Sequence, residues 1–293
     1  MKKKLRIALA VVLAAAVVTV GGGLAWEISA VKNPRVPHEK ELELVWADEF
    51  DGDGLDLTKW EGHGCGGDEA KIRRGGYWHT DMATVKDGCL HIRTEYYPDG
   101  YNGNGLPGWY TCGLDTNGLF EPTYGYFEVR CILPKGVGMW AAFWLLADSM
   151  SAGAGDVENS GVDGAEIDVF ESAFYESKRP NRVSTNVHID GYGEAHQSQN
   201  VCKPYLRFSD PYEDFNTYGV AWNEDGYTFY INGLKTGHSD FGGASQTPEY
   251  LILSVEVGGR DGSPAADWTG GPITPDSETT DFVIDYVRAY RYK

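Results

Sequence analysis

Gly164-Ala165-Glu166-Ile167-Asp168-Val169-Phe170-Glu171 sets three carboxylates inside a run that otherwise reads as a β-strand. Ile167, Val169 and Phe170 are β-branched or aromatic, and Gly164 punctuates the segment upstream. Alternate side chains of a regular strand share a face, so Glu166 and Asp168 point together while Glu171 points away. One residue absorbed as a β-bulge at Val169/Phe170 returns Glu171 to the face of the other two, and the spacing predicts a bulge there.

Two Glu side chains flanking an Asp on one strand face suit the cleavage of a glycosidic bond. In a retaining mechanism an ionised carboxylate attacks the anomeric carbon, and a protonated carboxyl about 5–5.5 Å away gives its proton to the leaving oxygen. The intervening Asp168 hydrogen-bonds the nucleophile and, by like-charge repulsion, helps to keep the neighbouring acid protonated. Taken alone, the pattern is a weak one and more often marks a solvated acidic strand face.

The rest of the chain narrows the choice. Its 293 residues suffice for one sizeable core, and 18 Tyr, 9 Trp and 38 Gly favour an all-β protein with aromatics to spare for stacking on sugar rings. A formal net charge of −18 argues against nucleic acid and anionic lipid as partners. It also disfavours a strongly anionic polysaccharide, unless a local basic groove overrides the total. The five cysteines, Cys65, Cys89, Cys112, Cys131 and Cys202, are too widely spread for a zinc pattern, and at least one has no intramolecular partner.

Residues 1–26 open with Lys2, Lys3, Lys4 and Arg6 and continue as an uncharged run from Ile7 to Trp26, which reads as an export signal. Gly23 and Ala25 offer a small-x-small cleavage site, but residues 7–26 are also long enough to anchor the chain in a membrane; both outcomes stay open, and both place the remainder outside the cytoplasm. Residues 27–40, with Pro34 and Pro37, form a linker, and 41–293 read as one catalytic domain. Strand signals dominate it. Cys89–Thr94 alternates after Asp87-Gly88, Tyr126–Leu133 follows Tyr124-Gly125, and Tyr227–Ile231 lies between Asp225-Gly226 and Asn232-Gly233. Met139–Leu146, Tyr250–Val257 and Phe282–Tyr290 complete the set. With no long amphipathic helical period, the expected architecture is a jelly-roll β-sandwich of two antiparallel sheets.

In order along the chain, these segments resemble glycoside hydrolase family 16. Trp46–Asp51 resembles its opening motif, Leu55–Trp60 its Leu-Asp-x-x-x-Trp, Tyr124–Arg130 its Tyr-Gly-x-Phe-Glu-x-Arg strand and Met139–Leu146 its Trp-Pro-Ala-x-Trp-Leu-Leu strand. Glu166–Glu171 resembles the catalytic signature in its bulged, laminarinase-type form, Phe215–Gly233 a later strand and hairpin, and Phe282–Tyr290 the terminal strand. The resemblance implies a concanavalin-like sandwich with a concave substrate cleft. It makes Glu166 the nucleophile, Asp168 its assistant and Glu171 the acid/base. It also implies that Glu128 and Arg130 hold sugar hydroxyls on the concave sheet, and that Trp144 and Trp140 stack on sugar. Asn186 matches a sugar-binding position, and His188 shares its parity on the following strand. Many members carry a structural calcium, which would fall to Asp285 with a carbonyl from Gly88; no cofactor is implied for catalysis.

Three departures bear on the substrate: Ala141 replaces the proline, Ser254 and Glu256 stand where laminarinases carry Asn and a small residue, and Asp148–Asp163 is an insert expected to form a rim loop. With the export segment placing the chain outside the cytoplasm, the resemblance implies an endo-acting β-1,3 or mixed β-1,3/1,4-glucanase, expected to be a monomer. Rival readings are a galactan hydrolase, a transglycosylase and a non-catalytic carbohydrate-binding jelly roll.

Overall fold

The computed structural model describes residues 35–36, 41–65, 69–152, 157–175, 177–258 and 273–293. The export or anchor segment 1–26 and all of the linker 27–40 except residues 35–36 lie outside the described residues. Among those described, the strands form one eight-stranded, one seven-stranded and one four-stranded sheet.

The two large sheets make the sandwich. In the seven-stranded sheet the order is Gln197–Cys202, Ser184–Ile189, Glu166–Ser172, Met139–Leu146, Tyr250–Val257, Gly113–Asp115 and Glu61–Gly62. The eight-stranded sheet has Gly125–Ile132 and Phe282–Tyr292 at its centre, paired with each other along most of their length. Alternation decides which side chains lie between the sheets. Phe143, Leu145, Ile167, Phe170 and Val187 of the first join Phe127, Val129, Tyr218 and Phe282 of the second in one buried cluster. Phe170 spans the gap, its ring 4.5 Å from that of Tyr218 and 6.2 Å from that of Phe282.

Local turn chemistry fixes the register of the eight-stranded sheet. Ile231 pairs with Leu234 across Asn232-Gly233, whose φ values of 49° and 74° are those of a two-residue hairpin that Asn and Gly tolerate. At the other end of the Gly226–Ile231 strand, Asn223 pairs with Gly226, so the tight loop is Glu224-Asp225 and Gly226 already belongs to the strand.

The sheet assignment of one strand overturns an expectation. Glu128 and Arg130 do share a face opposite Phe127, Val129 and Cys131, but Gly125–Ile132 lies in the eight-stranded sheet, and that face is the outside of the sandwich. Glu128 is buried there and accepts hydrogen bonds from Tyr126 and Tyr286 at 2.7 and 2.8 Å. Arg130 pairs with Asp285 and lies over Phe215, 4.5 Å from the ring centre. Neither lines the cleft. Alternation reveals which residues share a face, but not which sheet a strand joins.

The expected calcium site meets the same contact. Asp285 gives its carboxylate to Arg130, so a guanidinium already occupies the place of a cation, and no cluster of ligating side chains gathers round Asp285 among the described residues. Gly88, at φ 73°, serves the turn between Ala83–Lys86 and Cys89–Ile92. These residues do not fit the ion.

Candidate active site

The outer face of the seven-stranded sheet carries a cleft of about 910 Å³. Its floor comes from alternate residues of four adjacent strands, among them Trp140, Ala142 and Trp144, then Glu166 and Asp168, then Asn186 and His188, and finally Ser254 and Glu256. Glu171 joins them through an irregularity in its strand. Trp144 pairs with Asp168 and Phe143 with Phe170, leaving Val169 unmatched; on the other edge the register jumps between Asp168↔Asn186 and Glu171↔Ser184. Val169 and Phe170 both turn inward to the core, and Glu171 emerges on the face of Glu166 and Asp168.

The three acids have different neighbours. Glu166 accepts a hydrogen bond from the Tyr192 hydroxyl, and His188 Nε2 lies 3.7 Å from its Oε1 and 3.3 Å from Asp168 Oδ2. Burial and the Asp168 charge raise the Glu166 pKa, while His188, Tyr192 and Arg73 hold it back. Glu171 sits among like charges. Burial, then Asp168, Glu166 and Glu256, push it well above the usual carboxylate range. Of the two, Glu166, raised to about 7, is therefore the one that ionises first, and Glu171 the one that holds its proton longer.

Asn186 and His188 serve the carboxylates directly. Asn186 donates to Glu171 Oε2, and Asn200 Nδ2 donates to Asn186 Oδ1 at 2.7 Å, which sets the amide with its NH₂ toward the acid. Ser184 also approaches Glu171 Oε2, at 3.4 Å. With Oε2 engaged as an acceptor, Oε1 is the oxygen that carries the proton. Burial pulls the His188 pKa down, but the Asp168 and Glu166 carboxylates outweigh it and hold it at about 8. The stacked ring of His196 takes the hydrogen bond from His188 Nδ1 at 2.8 Å, and its own pKa is lowered by burial and by the His188 charge.

Trp144 donates from Nε1 to Ser254 Oγ at 3.1 Å, which accounts for a serine at that position. The His63 ring stands edge-on to Trp144, 5.7 Å between ring centres, and is itself fixed by Asp115. Glu256 is buried and bound by Arg73 and Arg74. His63, Arg73, Arg74, Tyr192 and His196 all line the cleft and had no sequence signal, because each comes from a short strand or loop without a pattern of its own. The insert opens with a five-residue helix, Asp148–Ala152, tied to the catalytic strand's entry by Ser149 donating to the Asp163 carbonyl at 2.6 Å. All five cysteines are unpaired.

Chemically, the site pairs a more readily ionised carboxyl with one that holds its proton longer, in an aromatic-walled groove. Comparison with known proteins bears on that chemistry. A family model described as the GH16 domain of β-porphyranases A–D matches residues 42–292. The β-glucanase of Rhodothermus marinus is 29% identical over 89% of this chain and 88% of its own. Glucan endo-1,3-β-glucosidase A1 of Niallia circulans is 27% identical over 89% of this chain, which spans only 40% of that protein. Among solved structures, the laminarinase catalytic domain of Thermotoga maritima superposes with a TM-score of 0.66 at 26% identity, covering 86% of this chain and 99% of its own.

Proposed function

Because the chain belongs to glycoside hydrolase family 16, we propose that it is a retaining endo-glycosidase cleaving β-1,3 or mixed β-1,3/1,4-glucan by double displacement. The observation that carries the reading is the bulge at Val169, without which Glu171 could not share a groove with Glu166 and Asp168. Glu166 attacks the anomeric carbon while Glu171 passes its proton from Oε1 to the departing oxygen. Once the leaving sugar has gone, ionised Glu171 takes a proton from water, and that water attacks the anomeric carbon and frees Glu166. Protonated His188 bridges Asp168 and Glu166 throughout, and no metal or organic cofactor takes part. Trp140 and Trp144 supply flat apolar surfaces for sugar rings.

The likeness to named glucanases of Rhodothermus marinus and Niallia circulans supports a glucan as the polymer. A galactan is the second reading, favoured by the family model's own description as a β-porphyranase. The basic start and uncharged run of residues 1–26 support action outside the cytoplasm, secreted or anchored, by a monomeric enzyme. Product analysis on laminarin, lichenan, galactan and agarose tests the substrate, and oligosaccharide products on laminarin or lichenan are expected. Glu166→Gln should lower kcat by about a thousandfold or more while binding persists. Unchanged binding with no turnover by the parent protein on any polymer would instead identify a carbohydrate-binding jelly roll, and sugar rather than water as acceptor would identify a transglycosylase.

A further inference from the structure

Two of the five cysteines come together at the end of the cleft sheet. Its last strand, Glu61–Gly62, pairs with Gly113–Asp115 so that Gly62 stands opposite Leu114, and the His63 N–H continues the ladder to the Gly113 carbonyl at 2.9 Å. Directly paired residues point to one face of a sheet, so a side chain at position 62 would share the face of Leu114. Cys112 and Leu114, two residues apart, both enter the core and so lie on that face too. The chain then turns back at Gly64, whose φ is 61°, and Cys65 N–H donates to the Gly62 carbonyl at 3.2 Å. The turn brings Cys65 Sγ to 2.9 Å from the place a Gly62 Cβ would take. Both thiols therefore lie on the inner face of one strand pair, near enough for a charge on Cys65 to raise the Cys112 pKa.

The other three cysteines are dispersed. Cys131 enters the core from Gly125–Ile132, Cys89 lies beside Asp285 and Arg130 on the outside of the sandwich, and Cys202 closes the opposite edge strand of the cleft sheet, against Gly237. The pair at the sheet's end also touches the site. His63, two residues before Cys65, sets its ring edge-on to Trp78 and Trp144, with ring centres 5.5 and 5.7 Å away. Neither thiol serves the core as a strong donor: Cys112 Sγ reaches the Gly113 carbonyl at 3.4 Å, a weak contact.

We propose that Cys65 and Cys112 are the two halves of a disulfide bond that staples the His63 turn to the end of the cleft sheet. The oxidant is a small-molecule disulfide of the glutathione class. The Cys65 thiolate attacks one of its sulfurs and expels a glutathione thiolate; the Cys112 thiolate then attacks Cys65 Sγ and expels the second. Two protein thiols are oxidised, one small disulfide is reduced, and the two protons pass to the released thiolates. Burial sets the order of events: a folded chain offers little thiolate at either position, so the bond closes while the chain folds and is afterwards shielded from exchange. The oxidising surroundings come from the export reading of residues 1–26, on which the proposal rests. Once closed, the bond restricts the unfolded chain between residues 65 and 112 and holds the His63 ring against Trp144.

The test equilibrates the full chain with oxidised or with reduced glutathione in urea below the unfolding transition, removes the urea, and labels the denatured protein with N-ethylmaleimide. After oxidised glutathione, Cys65 and Cys112 should take up label only once dithiothreitol is added, and a digest should contain their two peptides joined, two hydrogens lighter than their sum. The oxidised form should melt at least about 5 °C above the reduced form. Its KM on the polymer it cleaves should be at least about twofold lower at similar kcat. Both differences should vanish in Cys65→Ala with Cys112→Ala. Labelling of both cysteines without reductant, or a link from either to a third cysteine, would overturn the pairing, and equal Tm and KM in the two forms would overturn the staple. A chain that forms the bond in vitro but is recovered from its own cells with both thiols free would overturn the export reading and uphold the pairing.

Discussion

At the scale of single residues, the division of labour between two glutamates follows from what surrounds each of them. Glu166 has donors and cations about it, Tyr192, His188 and Arg73, whereas Glu171 has Asp168, Glu166 and Glu256. Tyr192 is the most informative of these neighbours because the residue is 53% exposed, so replacing it disturbs little packing. Its hydroxyl hydrogen-bonds Glu166 and favours the ionised form. In Tyr192→Phe that preference is lost, and the Glu166 pKa rises further. The active protonation state has Glu166 ionised and Glu171 protonated, so kcat/KM should follow a bell, with its acidic limb set mainly by the first and its alkaline limb by the second. The variant should show an acidic limb displaced to higher pH, a narrower bell and a lower maximum. An acidic limb that stays in place would mean that Tyr192 does not tune the nucleophile.

At the scale of elements, the catalytic strand shows how far a sequence can be read and where reading stops. Glu166-Ile167-Asp168-Val169-Phe170-Glu171 announced its own irregularity, because alternation stranded one acid on the wrong face, and the bulge lies at Val169 as that pattern requires. Strands carried by long, nearly continuous apolar runs, such as Met139–Leu146 and Tyr250–Val257, were legible to the residue. The neighbourhood of each strand was not legible. Glu128 and Arg130 follow the right parity but belong to the other sheet, and Arg73 and Arg74 reach the cleft at the end of a three-residue strand and in the turn after it, with no signal of their own. Such facts depend on long-range pairing that no local pattern encodes. The bulge also makes a prediction about its own necessity. Deleting Val169 would leave Glu166, Asp168 and the present Glu171 at intervals of two in a regular strand, all on the cleft face, with Phe170 still turned to the core. Activity should survive within about tenfold of the parent, well above that of Glu166→Gln. Loss of the buried valine, about 2 kcal/mol, should lower Tm by about 5 °C. A fall in kcat to the level of Glu166→Gln would show that the irregular backbone itself is needed.

At the scale of the whole molecule, the acidic composition and the buried acids act on stability in the same direction. Glu249, fully buried behind the catalytic strand, accepts a hydrogen bond from Ala165 N–H at 3.3 Å, and burial raises its pKa to about 8. Burial also raises Glu128, and burial with neighbouring charge raises Glu166 and Glu171. Between the ordinary glutamate pKa near 4.3 and these higher values, the folded chain holds protons that the unfolded chain has released. Stability then falls with rising pH, because the slope of the unfolding free energy carries the sign of unfolded minus folded protons bound. His188 adds to the trend: its folded pKa of about 8 lies above the unfolded value near 6.5, so its contribution is complete below 6.5 and lost as pH passes 8. Self-repulsion at a net charge of −18 grows over the same interval as the remaining histidine protons leave. Thermal melting should therefore give its highest Tm near pH 5, with a decline of at least about 5 °C by pH 8. Glu249→Gln should flatten that decline, because it removes the buried carboxyl whose proton is lost over this interval. A Tm that climbs from pH 5 to pH 8 would mean that these carboxyls are ionised and compensated in the folded state, and that the protonated acid needed at Glu171 has no support from the surrounding charge.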